Sequence, residues 1–579
     1  MSLFACAVAC GLPWMGAPLP APGFQTDELE LLPPDRIERE LRALAASHGE
    51  ATALELGRTR EGRDLLALQL NAAEDGKPGL LLVAGIDAEH RTGPSFALDH
   101  ARRLLSAEET PELLASYTVY CIPAANPDGL ALAFGPTTFE PLTQGRGVDN
   151  DRDARQGEDG WSDLNGDGSI TWMRVPDPAG DWMTDPHDAR AQIEPDPLLG
   201  QSASFRLERE GLDRDGDERV GEDPEHDTRF NRNFPANWDE LAPDAGRFPT
   251  DEPGVQHLCD FVIAHPELTV AVVLGAQDNL VKTPSAAGSG GRVPAAGVMG
   301  DDREWLARWG ERWREVAPEG SRASADAAGS FQAWLYEHRG LWTLNIKPWQ
   351  LPEGAPKVEA SEAEADGEAE AASESTEPAA GTEAEAEEPA EEPPGDPSTM
   401  ARQLEWIDAM GDAESWRFRD WYSFAHPTLG EVQIGGLAPF AEVEPPAAER
   451  RALADAQFAL LEGLAADPAK LAIPEATATV LSPGLVQVEA VVTNTGGLPL
   501  LSSAARRART QRPARLDLNL PADGELLGGN AMELIRGLAP AGGRAEFTWL
   551  VRTDRPQDLR LELTSTHAGI VGRTPEVTQ

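Results

Sequence analysis

The chain has 579 residues, room for about three to four domains, and its 49 Lys and Arg stand against 98 Asp and Glu for a formal charge of −49. A surface this acidic repels phosphate backbones and argues against nucleic-acid binding. Apolar residues at 41% and aromatics at 6% are ordinary globular usage, so any disorder is local. Residues 3–12 (LFACAVACGL) form an apolar run of signal-peptide length, too short to cross a bilayer. Residues 1–22 therefore read as a signal-like leader without a membrane span, and the protein as secreted, periplasmic or on the cell surface. Cys6 and Cys10 fall in that leader. Cys121 and Cys259 remain, and buried thiols are expected of them rather than a disulfide.

From residue 23 to 352 helix and strand patterns alternate: IERELRALAA, LLALQL, GLLLVAGI, FALDHARRLL and YTVYCIPAANPDG. That is α/β grammar. An Asp- and Gly-rich insertion at 147–227 interrupts it, and VQHLCDFVIAHPELTVAVVLG, REWLARWGERWREVA and FQAWLYEHRGLWTLNIKPW resume it. Residues 353–398 are mostly Ala, Glu, Pro and Ser, with fifteen acids and no Lys or Arg between Val358 and Pro397. Such a segment cannot bury enough apolar surface to offset chain entropy and is expected to be disordered. Residues 399–470 complete the α/β domain and add the helix RRALADAQFALLEGLAA. Residues 471–579 read as short alternating strands with Gly and Pro turns, the pattern of an all-β sandwich.

Within the insertion, VDNDRDARQGED and LDRDGDERVGED repeat in register 64 residues apart. Asp149, Asp151, Asp153 and Glu158 match Asp213, Asp215, Asp217 and Glu222. Carboxylates at every second residue of a tight loop suit Ca²⁺, which takes hard oxygen ligands. Between the repeats, DLNGDGSI supplies Asp163, Asn165 and Asp167 with Gly168 at the sixth position of an EF-hand-like loop, although Arg174 stands where the twelfth-position acid belongs. A structural calcium role is expected, since unneutralised carboxylates would repel one another.

ELGRTREGRDLLAL, the turn NPDG at 126–129, FNRNFPANW and HPTLGEVQIGG occur in the order seen in the zinc carboxypeptidases of the carboxypeptidase A type, and the chain resembles that family's exported bacterial members. The resemblance implies a mixed eight-stranded sheet with helices on both faces. It also implies Zn²⁺ held by a His-x-x-Glu pair and a distant His, an open position for water, and a Glu as general base.

Here those positions are substituted. GIDAEHRTG puts Asp87 on the His and His90 on the Glu, and AVVLGAQDNL puts Gly275 on the distant His. GLWTLNIKPW puts Lys347 on the general-base Glu, or Asn345 if the register is two residues shorter. The resemblance assigns Asn231 and Arg232 to the grip on a terminal carboxylate and Arg174 to polarising the carbonyl. The residues favour a pseudoenzyme that has lost zinc, with Asp87 and Lys347 facing each other across the former metal site, and that binds C-termini of peptides or cell-wall peptides. Two alternatives stay open. One is an active metallocarboxypeptidase with a rearranged metal site that uses Asp87, His90 and Glu89 or Asp278. The other is a calcium-stabilised structural or adhesive surface protein.

Overall fold

The computed structural model describes residues 29–70, 76–147, 160–214, 220, 227–285, 297–317, 328–355 and 396–579. The expected leader, most of the acidic segment 353–398 and much of the Asp-rich insertion lie outside these residues.

The chain opens with α1 (Pro34–Ser47), whose first turn is set by Pro34 and Asp35, and continues through β1 (Ala51–Arg58), β2 (Asp64–Leu70) and β3 (Gly79–Ala84). Then follow α2 (Thr92–Ser106), α3 (Glu112–Ser116), β4 (Thr118–Ile122) and α4 (Pro127–Ala133), which Asn126 caps by accepting from the Gly129 N–H at 3.0 Å. The insertion contributes β5 (Trp172–Pro176), a short pair β6 (Met183–Thr184) and β7 (Gln192–Ile193), and β8 (Phe205–Arg209). After it come α5 (Pro253–Ala264), β9 (Leu268–Leu274), α6 (Arg303–Arg314), the short α7 (Phe331–Ala333) and β10 (Trp342–Ile346). Beyond the acidic segment lie α8 (Thr399–Met410), β11 (Phe418–His426), β12 (Gly430–Leu437) and α9 (Arg450–Gly463).

The main sheet runs β1-β2-β4-β3-β9-β10. Strands β4, β3, β9 and β10 are parallel, and β1 and β2 are joined to them antiparallel. Among the described residues the sheet therefore has six strands, not the eight expected. The HPTLGEVQIGG segment instead folds as the β11–β12 hairpin and pairs with the insertion strands in a separate sheet, β11-β12-β5-β8.

Burial on both faces explains the unbroken apolar runs of the parallel strands. Leu80, Leu82, Val270 and Val272 enter the core on one face with α1, α2, α6, α8 and α9. Leu81, Val83, Ala271 and Val273 enter the core on the other face with α5. Because α8 and α9 share the first of these cores, both sides of the acidic segment build one α/β unit. Cys121 and Cys259 are free and buried, one in each core, and burial pushes both thiols up to about 12.

The C-terminal region is β-rich. Strands Leu471–Ser482, Leu485–Asn494, Glu525–Gly528, Gly543–Arg552 and Glu576–Thr578 form one sheet, and Ala514–Asn519, Met532–Ile535, Arg560–Ser565 and Gly569–Arg573 form another. Val488 and Trp549 of the first meet Leu516 and Leu563 of the second in a common core. This region is locked onto the α/β unit. Asp302 accepts from the backbone N–H of Ser503 at 2.8 Å and from the Tyr336 hydroxyl at 2.7 Å, and Ser502 Oγ donates to the Gly340 carbonyl at 2.7 Å. Gly340 has φ +72°, and a methyl group there would lie 2.4 Å from Ala505 Cα. Gly340→Ala is expected to destabilise the protein by about 1 to 3 kcal/mol and to loosen the C-terminal region first, read as early protease cleavage near residue 470 in a denaturant series.

Candidate functional site

The substituted residues follow the carboxyl ends of adjacent parallel strands: Asp87 and His90 after β3, Gly275 after β9 and Lys347 after β10. In open α/β sheets, this edge is where ligands bind. Asn345 lies inside β10 and is buried, so Lys347 is the residue that emerges at the site.

Asp87 is the centre of the arrangement. It is buried, and its carboxylate accepts from Asn231 Nδ2 at 3.1 and 3.2 Å and from the Ala276 backbone N–H at 3.0 Å. Asn231 turns its own Oδ1 to the Phe331 N–H at 2.9 Å. A methyl carbon placed on Gly275 would stand 2.8 Å from Asp87 Oδ2. The carboxylate thus fills the room that a side chain at 275 would need. Burial raises the Asp87 pKa, while the Ala276 hydrogen bond, Arg229, Asn231 and Lys347 pull it down.

Around this centre, Glu89 accepts from Arg229 Nη2 at 2.8 Å. Burial and the neighbouring Asp87 charge push Glu89 up to about 7. His90 is buried with Nδ1 unpartnered, and burial, Lys347 and Arg229 hold its pKa down at about 3, so the ring is neutral. Lys347 lies near enough for its charge to act on Asp87 and His90, and its Nζ donates to Gln350 Oε1 at 3.1 Å. Asp278, buried beside it, accepts from the N–H groups of Leu280 and Val281 at 2.9 and 2.8 Å.

These residues do not fit a zinc ion. Asp87 is already held by three donor contacts, Gly275 offers no ligand, Arg229 and Lys347 add like charge, and no group of three His, Cys, Asp or Glu able to hold a metal exists among the described residues.

The expected substrate residues are placed differently from their reading in sequence. Asn231 is taken up by Asp87 and Phe331, not left facing a ligand. Arg232, about a third exposed, holds the Asp244 carboxylate through Nη1 at 2.7 and 2.8 Å. Arg174, expected to polarise a carbonyl, has its guanidinium committed to other partners. It sits in β5, buried, with its guanidinium on the carbonyls of Ala189, Arg190 and Ala191 and over the Trp421 ring at 4.1 Å, and burial lowers it to about 10. Arg229 escaped the sequence reading, since an arginine two residues before Asn231 belongs to no pattern used there.

Of the expected calcium ligands, Asp149, Asp151, Asp153, Glu158, Asp215, Asp217 and Glu222 lie outside the described residues. Asp163 spends both oxygens on the N–H groups of Gly166, Asp167 and Gly168, and Asp167 accepts from Ser169 N–H at 2.9 Å. Asn165 Oδ1 accepts from the Asp167 N–H at 2.8 Å, and Asp213 is buried.

Residues 37–172 match the family described as zinc carboxypeptidase. Over these residues the chain is similar to the zinc carboxypeptidases. The zinc carboxypeptidase A 1 of Drosophila melanogaster is 36% identical over 97 residues, which covers 15% of this chain and 23% of that protein. The match thus spans under a quarter of the relative's length. Bovine thrombin-activatable fibrinolysis inhibitor, solved with a tick carboxypeptidase inhibitor, is similar at 15% identity and a TM-score of 0.32 over 55% of this chain and 86% of that one. Carboxypeptidase A from Helicoverpa armigera is similar at 14% identity and a TM-score of 0.33 over 57% of this chain and 66% of that one. Residues 470–575 match a domain of unknown function (DUF8731). No helix among the described residues is long and apolar enough to cross a membrane.

Two measurements probe the centre. Gly275→Ala is expected to cost about 1 to 3 kcal/mol by crowding Asp87, and much less in an Asp87→Ala background. Equal costs in a urea double-mutant cycle would show that the two positions do not compete for space. A carboxyl with a raised pKa holds its proton in the folded state, so Glu89 should make stability fall as pH rises from its ordinary 4.5 to about 7 and level off above that. The Glu89→Gln variant should show a correspondingly flatter urea midpoint between pH 5 and 7 than the unsubstituted protein.

Proposed function

We propose that the protein is a non-hydrolytic relative of the zinc carboxypeptidases that recognises the terminal carboxylate of peptides. The single observation that carries the loss of hydrolysis is the Asp87 carboxylate lying 2.8 Å from where a side chain at Gly275 would begin, so that two of the three ligand positions exclude each other. With no open metal position there is no activated water, and the positively charged Lys347 is no general base.

The carboxylate reading is supported by Arg232. Its guanidinium already carries a carboxylate, that of Asp244, in a partly exposed position. A peptide terminus would compete with Asp244 for the same donors, and such an exposed pair is weak enough to exchange. The Asn-Arg grip is reduced to its arginine, because Asn231 is committed to Asp87. Export and a calcium-held insertion belong to this proposal on the strength of residues 3–12 and of the repeated Asp segments.

A rearranged active metal site is the weaker reading. The unpartnered Nδ1 of His90 is its best support, and no third ligand accompanies it among the described residues.

Protein purified without chelator and then incubated with Zn²⁺ is expected to hold no stoichiometric zinc by mass spectrometry and to release no C-terminal amino acid from blocked dipeptides. About one zinc per chain with release would overturn the loss of hydrolysis. Peptides with a free C-terminus should bind more tightly than their amidated forms. Asp244→Asn should strengthen that binding about tenfold, and Arg232→Ala should abolish the preference. No difference between free and amidated peptides would remove the carboxylate reading alone.

A further inference from the structure

A cleft of about 470 Å³ opens between the insertion-built sheet, the β6–β7 pair and the start of α8. Its apolar walls include Trp172 and Trp182, and its charged groups are Glu140, Glu194, Glu442 and Arg209. Asp87, His90 and Arg232 do not line it, although Glu442 and Glu140 are near enough to interact with Lys347 and Glu89 of that site.

Arg209 and Glu140 satisfy each other, with Nη2 on Glu140 Oε2 at 2.8 Å, and the Arg209 guanidinium lies 3.9 Å over the Trp172 ring. Glu140 also accepts from the Phe440 N–H at 2.8 Å. Glu442 has no such partner. Its carboxylate, open to water yet walled by protein, accepts from Gln403 Nε2 at 3.2 Å, and no ion pair engages it among the described residues. Burial and the nearby Glu140 charge raise its pKa, against the opposing pull of Gln403, Arg209 and the more distant Lys347. Trp182, half-buried, carries neither a stacked ring nor a cation among the described residues.

An aromatic face and a carboxylate held in no ion pair, lining one cleft, attract a cation by two additive effects, the ring quadrupole and a charge-assisted hydrogen bond. The same cleft already shows this chemistry internally, where Arg209 sits between Trp172 and Glu140. The acidic surface, with its formal charge of −49, would draw cations toward the opening. We infer that this cleft binds a cationic group, a primary ammonium or a guanidinium, through Trp182 and Glu442. The inference does not depend on the reading of Asp87 or Arg232.

The test is isothermal calorimetry on the full chain with amide-capped probes that carry no carboxylate: N-acetyl-lysine amide, N-acetyl-arginine amide and, as the neutral control, N-acetyl-norleucine amide. An amidated pentapeptide with one central lysine separates a peptide-borne cation from a free small amine. Binding of either cationic probe, or of the pentapeptide alone, supports the inference, provided that norleucine amide binds at least tenfold more weakly. Glu442→Gln, which keeps the size of the side chain, should weaken the cationic probe about tenfold, and Trp182→Ala should do the same. Thermal melts of both variants confirm that they are folded, and Trp182→Phe, which keeps a ring, should restore most of the affinity. Binding of the norleucine amide as tight as that of the lysine amide would overturn the inference. So would an unchanged affinity in a folded Glu442→Gln variant, or no binding of any cationic probe.

Discussion

The buried Asp87 carboxylate is the interaction on which the candidate site depends. It is reached from three directions: by Asn231 from the segment after the insertion, by the Ala276 N–H from the end of β9, and by the empty Cβ space of Gly275. A buried carboxylate without donors would be strongly destabilising. With them it ties together chain segments separated by 144 and 189 residues and fixes the edge of the parallel sheet. Asn231 passes the constraint on through its bond to Phe331, so the short helix α7 is placed by the same carboxylate.

Charges of both signs surround this centre. Arg229 pairs with Glu89, and burial raises the Asp87 pKa against the opposing pull of Arg229 and Lys347, so the acids gathered at the sheet edge meet two cations supplied by the protein itself. His90 stays neutral because those same cations and its burial oppose a further positive charge. In a zinc carboxypeptidase, the positive charge at this edge would be the ion. Here positive charge near Asp87 comes from a guanidinium and an ammonium group of the protein.

Much of the fold was legible in sequence because buried parallel strands leave an unmistakable trace. GLLLVA and LTVAVVL are apolar at nearly every position, and the structure buries both on two faces. Asp87, Gly275 and Lys347, read in sequence at the ends of strand-like runs, do follow the ends of three neighbouring strands. What sequence could not convey was how they relate in space. That the acid at 87 occupies the volume of a side chain at 275 is a contact across 188 positions in the chain. Arg174 is a second case of partners that sequence does not reveal. A basic residue at a plausible position looks like a ligand-binding group until its partners, three backbone carbonyls and an indole ring, are seen. The strand count failed for a related reason: β12 carries a familiar motif, but its hydrogen-bonding partner β5 lies in the insertion.

That pairing has a wider consequence. Strands β5 and β8 come from the insertion, whereas β11 and β12 lie beyond the acidic segment, and their union makes a sheet with its own small core of Met173, Val175, Val432 and Ile434. The floor of the Trp-lined cleft is therefore not part of the six-stranded scaffold. That sheet also touches the scaffold, since Phe418, Trp421 and Leu437 of β11 and β12 pack into the core on the first face of the parallel strands. The parallel strands themselves are packed through two apolar faces rather than through the sheet edge that carries Asp87. Among the described residues the Glu442 carboxylate at that cleft accepts from Gln403 alone, whereas Asp87 at the sheet edge accepts three hydrogen bonds, so of the two acids Glu442 keeps more acceptor capacity for a partner.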